Sequence, residues 1–237
     1  ILFLIFFFIY FSSVAAENIS IEAKNISIDK KKEVTIFKNE VKVKTEDQNT
    51  ITSEYAEYNK KIGLLILKKN ITATDKNENI ISAEYAEYNE KTKILRTVGP
   101  TQIQTSQKYS IQGKNIIFDN DKRYISSEEN TILVDQENNV INLENFDYQT
   151  KNNIFKSIGF VEISDNSQNK YKFSQIYIDT QKKEILGTDI KAFMNDDDFK
   201  INKDNKPRIF SNAISIKNNE SNFIKSVFTT CDYRKND

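Results

Sequence analysis

Apolar residues recur along this chain on a 30-residue step. Ile28, Tyr58, Tyr88, Phe118, Tyr148 and Ile178 form one column. Ile21, Ile51, Ile81, Ile111, Ile141 and Tyr171 form a second, seven residues ahead of it. Ile26, Ala56, Ala86, Ile116, Phe146 and Ile176 form a third, two residues ahead. The most overt copy is Ser53-Glu-Tyr-Ala-Glu-Tyr-Asn59, which returns as Ala83-Glu-Tyr-Ala-Glu-Tyr-Asn89. A fixed period of this size is the signature of stacked supersecondary units, each too small to bury its own apolar face.

Each unit reads as two strands. β-Branched and aromatic residues alternate with polar ones from Ile51 to Tyr58 and again from Ile62 to Thr74, and Asn/Asp/Lys clusters end each run. Asp29-Lys30-Lys31, Asn59-Lys60-Lys61, Asn89-Glu90-Lys91, Asp119-Asn120-Asp121 and Asp179-Thr180-Gln181 repeat one turn chemistry, since Asn and Asp accept hydrogen bonds from the backbone just ahead. The first strand changes phase: Ile51 and Ser53 share one parity, Ala56 and Tyr58 the other. A strand of unbroken period would put these pairs on opposite faces, so a bulge or bend near the fourth residue is predicted, repeated in every unit. That folds the stack into a trough. The second strand adds two columns, Thr35, Leu65, Leu95, Ile125, Phe155, Ile185 and Val43, Ala73, Ile103, Leu133, Ile163, Phe193. Gly99 and Gly159 hold the same place in it, a position for a bend or a close backbone approach. After Phe193 a polar insertion interrupts the period, which resumes at Ile216, displaced by 38 residues. The fold class expected is all-β.

Composition narrows the chemistry. Acidic and basic residues balance at 34 each, which argues against nucleic acid as a partner. With no histidine and one cysteine, neither the usual zinc sites nor Ser-His or Cys-His catalysis assembles, and no carboxylate pair stands out. No enzyme activity, metal or cofactor is expected. Ile1 to Phe11 is an unbroken apolar run followed by Ser12-Ser13-Val14-Ala15-Ala16. It is too short for a bilayer span of about 20 residues and ends in a small-x-small site, so residues 1–16 read as a signal peptide, with an uncleaved anchor helix as the alternative. Residues 17–228 then form one exported β domain. The run Asp196 to Asp198 lacks the spaced oxygen ligands of a calcium loop and reads as solvated. Cys231, an odd cysteine in an exported chain, is either a disulfide half or a free thiol.

The columns admit two readings. They pack against one another as an ordinary sandwich core, or the trough stays open and holds acyl chains between them. For the second reading the candidate lining is Ile28, Ile51, Ala56, Tyr58, Ile81, Ala86, Tyr88, Ile111, Phe118 and Tyr148. The first strand, around Ile19 to Ile28, is expected to be an edge free to pair with a partner strand.

The unit Ile-x-Ser/Ala-x-x-Ala-x-Tyr-Asn, a turn, and a strand such as Ile94 to Ile103 resembles the OstA-like repeats of the lipopolysaccharide transport family, over roughly residues 20 to 225. Phe155-Lys-Ser-Ile-Gly-Phe-Val-Glu-Ile163 is a close version of the second strand. The resemblance implies a β-jelly-roll whose interior takes lipid A acyl chains, and an edge strand that continues into an LptA-like bridge protein. The ending Phe-Thr-Thr-Cys231 looks like the junction of the LptD branch, with residues 229–237 leading toward an outer-membrane barrel. That branch implies an LptE-like lipoprotein partner, disulfides for which Cys231 is the matching position, and a place at the outer membrane with this segment in the periplasm. The second cysteine of that pattern, near the mature start, is absent. The repeats are shared with LptA and LptC, so a soluble LptA-like bridge is the alternative, and a structural surface solenoid is a third.

Overall fold

The computed structural model describes residues 19–195, 207–217 and 220–230. The signal-peptide segment, the run Asp196 to Asp198 and Cys231 lie outside them. The described residues form nineteen strands in one antiparallel sheet. In chain order these are β1 (Ile19–Glu22), β2 (Asn25–Asp29), β3 (Val34–Thr45), β4 (Thr50–Asn59), β5 (Leu64–Thr74), β6 (Ile80–Asn89), β7 (Ile94–Thr97), β8 (Pro100–Gln104), β9 (Ser110–Lys114) and β10 (Ile117–Asp119). They continue as β11 (Tyr124–Ser127), β12 (Thr131–Val134), β13 (Val140–Leu143), β14 (Phe146–Gln149), β15 (Ile154–Ser164), β16 (Lys170–Asp179), β17 (Glu184–Phe193), β18 (Arg208–Lys217) and β19 (Glu220–Thr229).

The chain is a meander in which each rung pairs with the one before and the one after. Some rungs are single long strands; others, such as β7 with β8, are broken in the middle and pair as two halves. Every rung bends at its centre, so the sheet folds lengthwise into two arms that face each other. The bend is the predicted phase change. On β4 the inward residues step from Ser53 to Ala56, with Glu54 exposed and Tyr55 outside the core. The extra residue sits on the neighbouring strands: the register slips between Lys38 and Val41 on β3 and between Lys68 and Ile71 on β5. There Asn39, Glu40, Lys69 and Asn70 are left-handed, with φ of 63°, 53°, 68° and 50°. Gly99 and Gly159 occupy this corner in later rungs, at φ of 82° and 118°.

The columns of the sequence are rows of this sheet. Tyr58, Leu65, Tyr88, Leu95, Phe118, Ile125, Tyr148, Phe155, Ile178, Ile185 and Ile216 are successive cross-strand neighbours, so two columns interleave into one row on the first arm. On the second arm Val43, Ile51, Ala73, Ile81, Ile103, Ile111, Leu133, Ile141, Ile163 and Tyr171 interleave likewise. The pairing of Ile185 with Ile216 shows that the period resumes in register after the insertion. Both rows point inward and form the core, which also holds Phe37, Ala56, Ala86 and Ile176 from the corner.

The turns at the two ends repeat as faithfully. At the tip of the first arm Asp29, Asn59, Asn89, Asp119 and Asp179 accept backbone hydrogen bonds through Oδ1 from two or three residues ahead. At the tip of the second arm Thr45, Asp75, Thr105, Asp135 and Asp165 accept from the N–H four residues on. These local bonds satisfy the backbone where the ladder ends.

Candidate functional site

The interior between the arms is apolar because strand alternation sends every second residue of both arms into it. Its occupancy changes along the trough. Toward the N-terminal end the side chains fill it: Ile51, Ala73, Ile81, Tyr88, Leu95, Phe118 and Ile125 enclose a void of only about 20 Å³. Toward the C-terminal end the arms stand apart and leave a cleft of about 630 Å³. Ile141, Ile163, Phe173, Ile178, Ile185 and Ile216 make its floor and walls. Its rim is charged, with Asp135, Glu137 and Asp165 from the second arm and Lys182 and Lys183 from the first. An apolar floor of branched aliphatic side chains under a polar rim suits the acyl part of an amphiphile. A wider depression of about 980 Å³ lies along outward positions of the middle rungs. Hydroxyl and amide side chains (Thr72, Ser82, Gln102, Gln112, Asn142) alternate there with apolar ones (Ile71, Ala83, Ile132, Leu143, Phe160), and it lies outside the inward rows of the two arms.

Between the tips of the arms the mouth is bridged at three places among the described residues. Lys93 Nζ lies 3.4 Å from Asp47 Oδ2 and 3.7 Å from both Glu46 Oε2 and Asp121 Oδ1, while Asn120 Nδ2 donates to Asp47 Oδ2 at 2.9 Å. Farther along, Gln107 Nε2 donates to Asn153 Oδ1 at 3.1 Å, and the Tyr148 hydroxyl donates to Gln107 Oε1 at 3.1 Å. Last, beside the cleft, Lys183 Nζ and Glu137 Oε1 are 3.9 Å apart, both more than half exposed. Asp47 raises the Lys93 pKa above the ordinary lysine value, with Asp121 and Glu46 adding to it. Burial, reinforced by Asp47 and Glu90, pushes the Tyr88 phenol up to about 12. Burial likewise raises Tyr109, to about 12, and Tyr148. These three phenols are therefore neutral at physiological pH. Among the described residues no cluster of three or more His, Cys, Asp or Glu is placed to hold a metal ion.

The structure brings nine of the ten candidate lining residues onto the inward rows. Ile51, Ala56, Ile81, Ala86, Tyr88, Ile111, Phe118 and Tyr148 are buried there, and Tyr58 packs on them partly covered. Ile51, Ile81, Tyr88 and Phe118 line the filled part. Ile28 stands apart: as the end of its row on the edge strand β2 it has no further rung to cover it and is 71% exposed. The residues around the open cleft, Ile163, Phe173, Ile178, Ile185 and Ile216, are not among the ten. All but Phe173 belong to the recurring columns, which gave their facing, but the spread of the arms leaves no mark in the periodicity.

A profile of the family described as lipopolysaccharide-assembly, LptC-related, matches residues 11–130. The chain belongs to that LptC-related family. No curated protein sequence matches it significantly. Among solved structures it is similar to LptH of Pseudomonas aeruginosa, described as the LptA-homologous periplasmic component of the conserved lipopolysaccharide transport device. That match has 15% identity and a TM-score of 0.22, and covers 72% of this chain and 81% of that one. For this LptC-related chain the fold rests on its own strand register, an all-β folded trough of the jelly-roll type.

The two ends of the trough are the edge strands of the sheet among the described residues. β1 and β2 pair only with β3, and β19 pairs only with β18. Large apolar side chains stand exposed at each: Ile26 and Ile28 at the first, Ile224, Val227 and Phe228 at the last. Among the described residues no helix is long and apolar enough to cross a membrane.

Proposed function

We propose that this chain is a non-enzymatic, periplasmic carrier of the bridge type in lipopolysaccharide transport. It holds acyl chains between its arms and continues into partner proteins of similar build through its edge strands. The observation that carries the reading is the 630 Å³ cleft, walled by inward isoleucines and rimmed by charge, within a trough whose inward rows are apolar from end to end. Each methylene moved from water into it is worth about 0.8 kcal/mol, so a few buried methylenes per chain hold an amphiphile without any chemical step. The exposed apolar edges at β2 and β19 support strand addition, in which main-chain hydrogen bonds extend the sheet and its greasy rows into a neighbour. Membership of the LptC-related family supports the bridge-type reading over the LptD-type one. A following barrel, an LptE-like partner, a Cys231 disulfide and an outer-membrane location therefore form no part of the proposal.

The test is direct binding of fluorescent lipopolysaccharide to the purified chain. Saturable binding that falls at least tenfold in Ile216→Lys, a partly covered position of the cleft wall, with the melting curve retained, is expected. Binding too weak to saturate, or equal in the variant, sinks the reading.

A further inference from the structure

The mouth of the trough is not uniform, and its strongest bridge lies over the part of the interior that is full. Lys93 and Asn120, from turns of the first arm, meet Asp47 and Glu46, from a turn of the second. Lys93, Asn120 and Phe118 also line the void of about 20 Å³ beneath, so the contact is the roof of the closed segment. Its groups are partly shielded, with 27% of the Lys93 and 34% of the Asp47 side chain exposed. Over the open cleft the only described bridge is the long, more exposed pair Lys183–Glu137.

A void of that size takes a single water-sized probe and no acyl chain. Lipid reaches Ile81 and Tyr88 only if the arms separate. The ladder is interrupted at the corner, where the register slips at left-handed bulge residues, so parting the arms there leaves the pairing within each arm in place. Polar contacts between exposed turns are the contacts most cheaply broken, whereas the cleft beside Lys183 needs no opening.

We propose that Lys93, Asn120 and Asp47 form a clasp that keeps the N-terminal half of the trough shut, and that the amphiphile loads through the C-terminal cleft. The N-terminal half fills only when the clasp parts. This rests on the lipid-carrier reading above and adds to it a loading site and a gate.

The experiment uses the full chain carrying Cys231→Ser, Asp47→Cys and Asn120→Cys, joined by a short disulfide-containing bis-maleimide. A photoreactive phenylalanine replaces either Tyr88 in the closed half or Phe173 in the cleft. Both swaps keep an aromatic ring in place. Purified lipopolysaccharide is added, the sample is irradiated and adducts are blotted. In the joined protein the Phe173 adduct is expected to persist and the Tyr88 adduct to drop at least tenfold, returning when the linker is reduced. Because joined and reduced samples are the same chain, misfolding shows in both. In an otherwise unmodified chain, Lys93→Ala is expected to speed the Tyr88 adduct at least threefold. A Tyr88 adduct indifferent to the linker overturns the clasp alone. Loss of the Phe173 adduct on joining overturns the loading site. Absence of adducts at both positions in the reduced protein overturns the carrier reading and the clasp with it.

Discussion

Gly187 on β17 offers a test of the cleft wall that does not touch its surface directly. Its neighbours across the sheet are Ile176 and Ile214, and the ring of Phe173 lies over it. A Cβ placed at Gly187 falls 2.4 Å from Phe173 Cδ1 and 2.6 Å from Cε1. Carbon atoms pack at about 3.5–4.0 Å, so in Gly187→Ala the ring must retreat by about 1 Å. Phe173 is 3% exposed and lines the cleft, so the retreat is toward the space proposed for lipid. Overpacking of this kind costs about 1–3 kcal/mol. At about 2–4 °C per kcal/mol for a chain of this size, the melting temperature is expected to fall by about 2–12 °C. Far-ultraviolet circular dichroism follows the melt in a protein that has no tryptophan. Lipopolysaccharide affinity falls with it. Adding Phe173→Leu removes the atoms that collide, so the double variant is more stable than the sum of the single effects by about 0.5–3 kcal/mol. A melt of Gly187→Ala within about 1 °C of the parent, or strict additivity in the cycle, refutes the close approach and with it this account of the wall.

Further expectations concern the core, the turns and the pH response. Ser157 is 1% exposed and its hydroxyl is the one buried side-chain polar atom among the described residues without a hydrogen-bond partner; Ser157→Ala is expected to be neutral or stabilising by about 1 kcal/mol in urea unfolding, and a loss of that size contradicts it. Gly63 ends its turn at φ 68°, and a Cβ there meets Glu90 and Lys91 Cγ at 3.2 Å. Gly63→Ala combines about 1–2 kcal/mol of left-handed strain with about 0.4–1 kcal/mol gained from a stiffer unfolded chain, for a net loss near 1 kcal/mol by the same assay. Backbone N–H and ammonium groups of Lys182 hold the Asp179 carboxyl below its usual range; Asp119, despite burial that opposes it, is lowered by the matching groups of Lys122. Depressed carboxylates stabilise the fold above their unfolded pKa of about 3.9 and lose that contribution as pH falls through the lower folded value. With no histidine in the chain, the urea midpoint is expected to stay flat from pH 8 to 5 and to fall below about pH 4. A midpoint that shifts between pH 8 and 5 points to a group outside this account.

The sequence by itself determined the rung. Strand alternation has a period of two and each hairpin has one length, so inward residues recur at fixed spacing and the columns of Tyr58 and Leu65 can be read without coordinates. The bend was equally visible in the parity change between Ser53 and Ala56. Side-chain chemistry marked the turns, though the left-handed column that closes them, Glu33, Gly63, Lys93, Arg123, Asn153 and Lys183, holds one glycine and was silent. What only the tertiary structure decided is how the two arms meet. Asp47 touches Asn120, 73 residues away, while Gln107 touches Asn153, 46 away, because twist offsets one arm against the other. That offset and the separation of the arms set whether an inward isoleucine such as Ile81 packs against its own protein or, like Ile163, faces an open cleft. Both are isoleucines on one inward row of the second arm. Periodicity reports which face a side chain takes; what stands opposite it is a long-range property of the folded sheet.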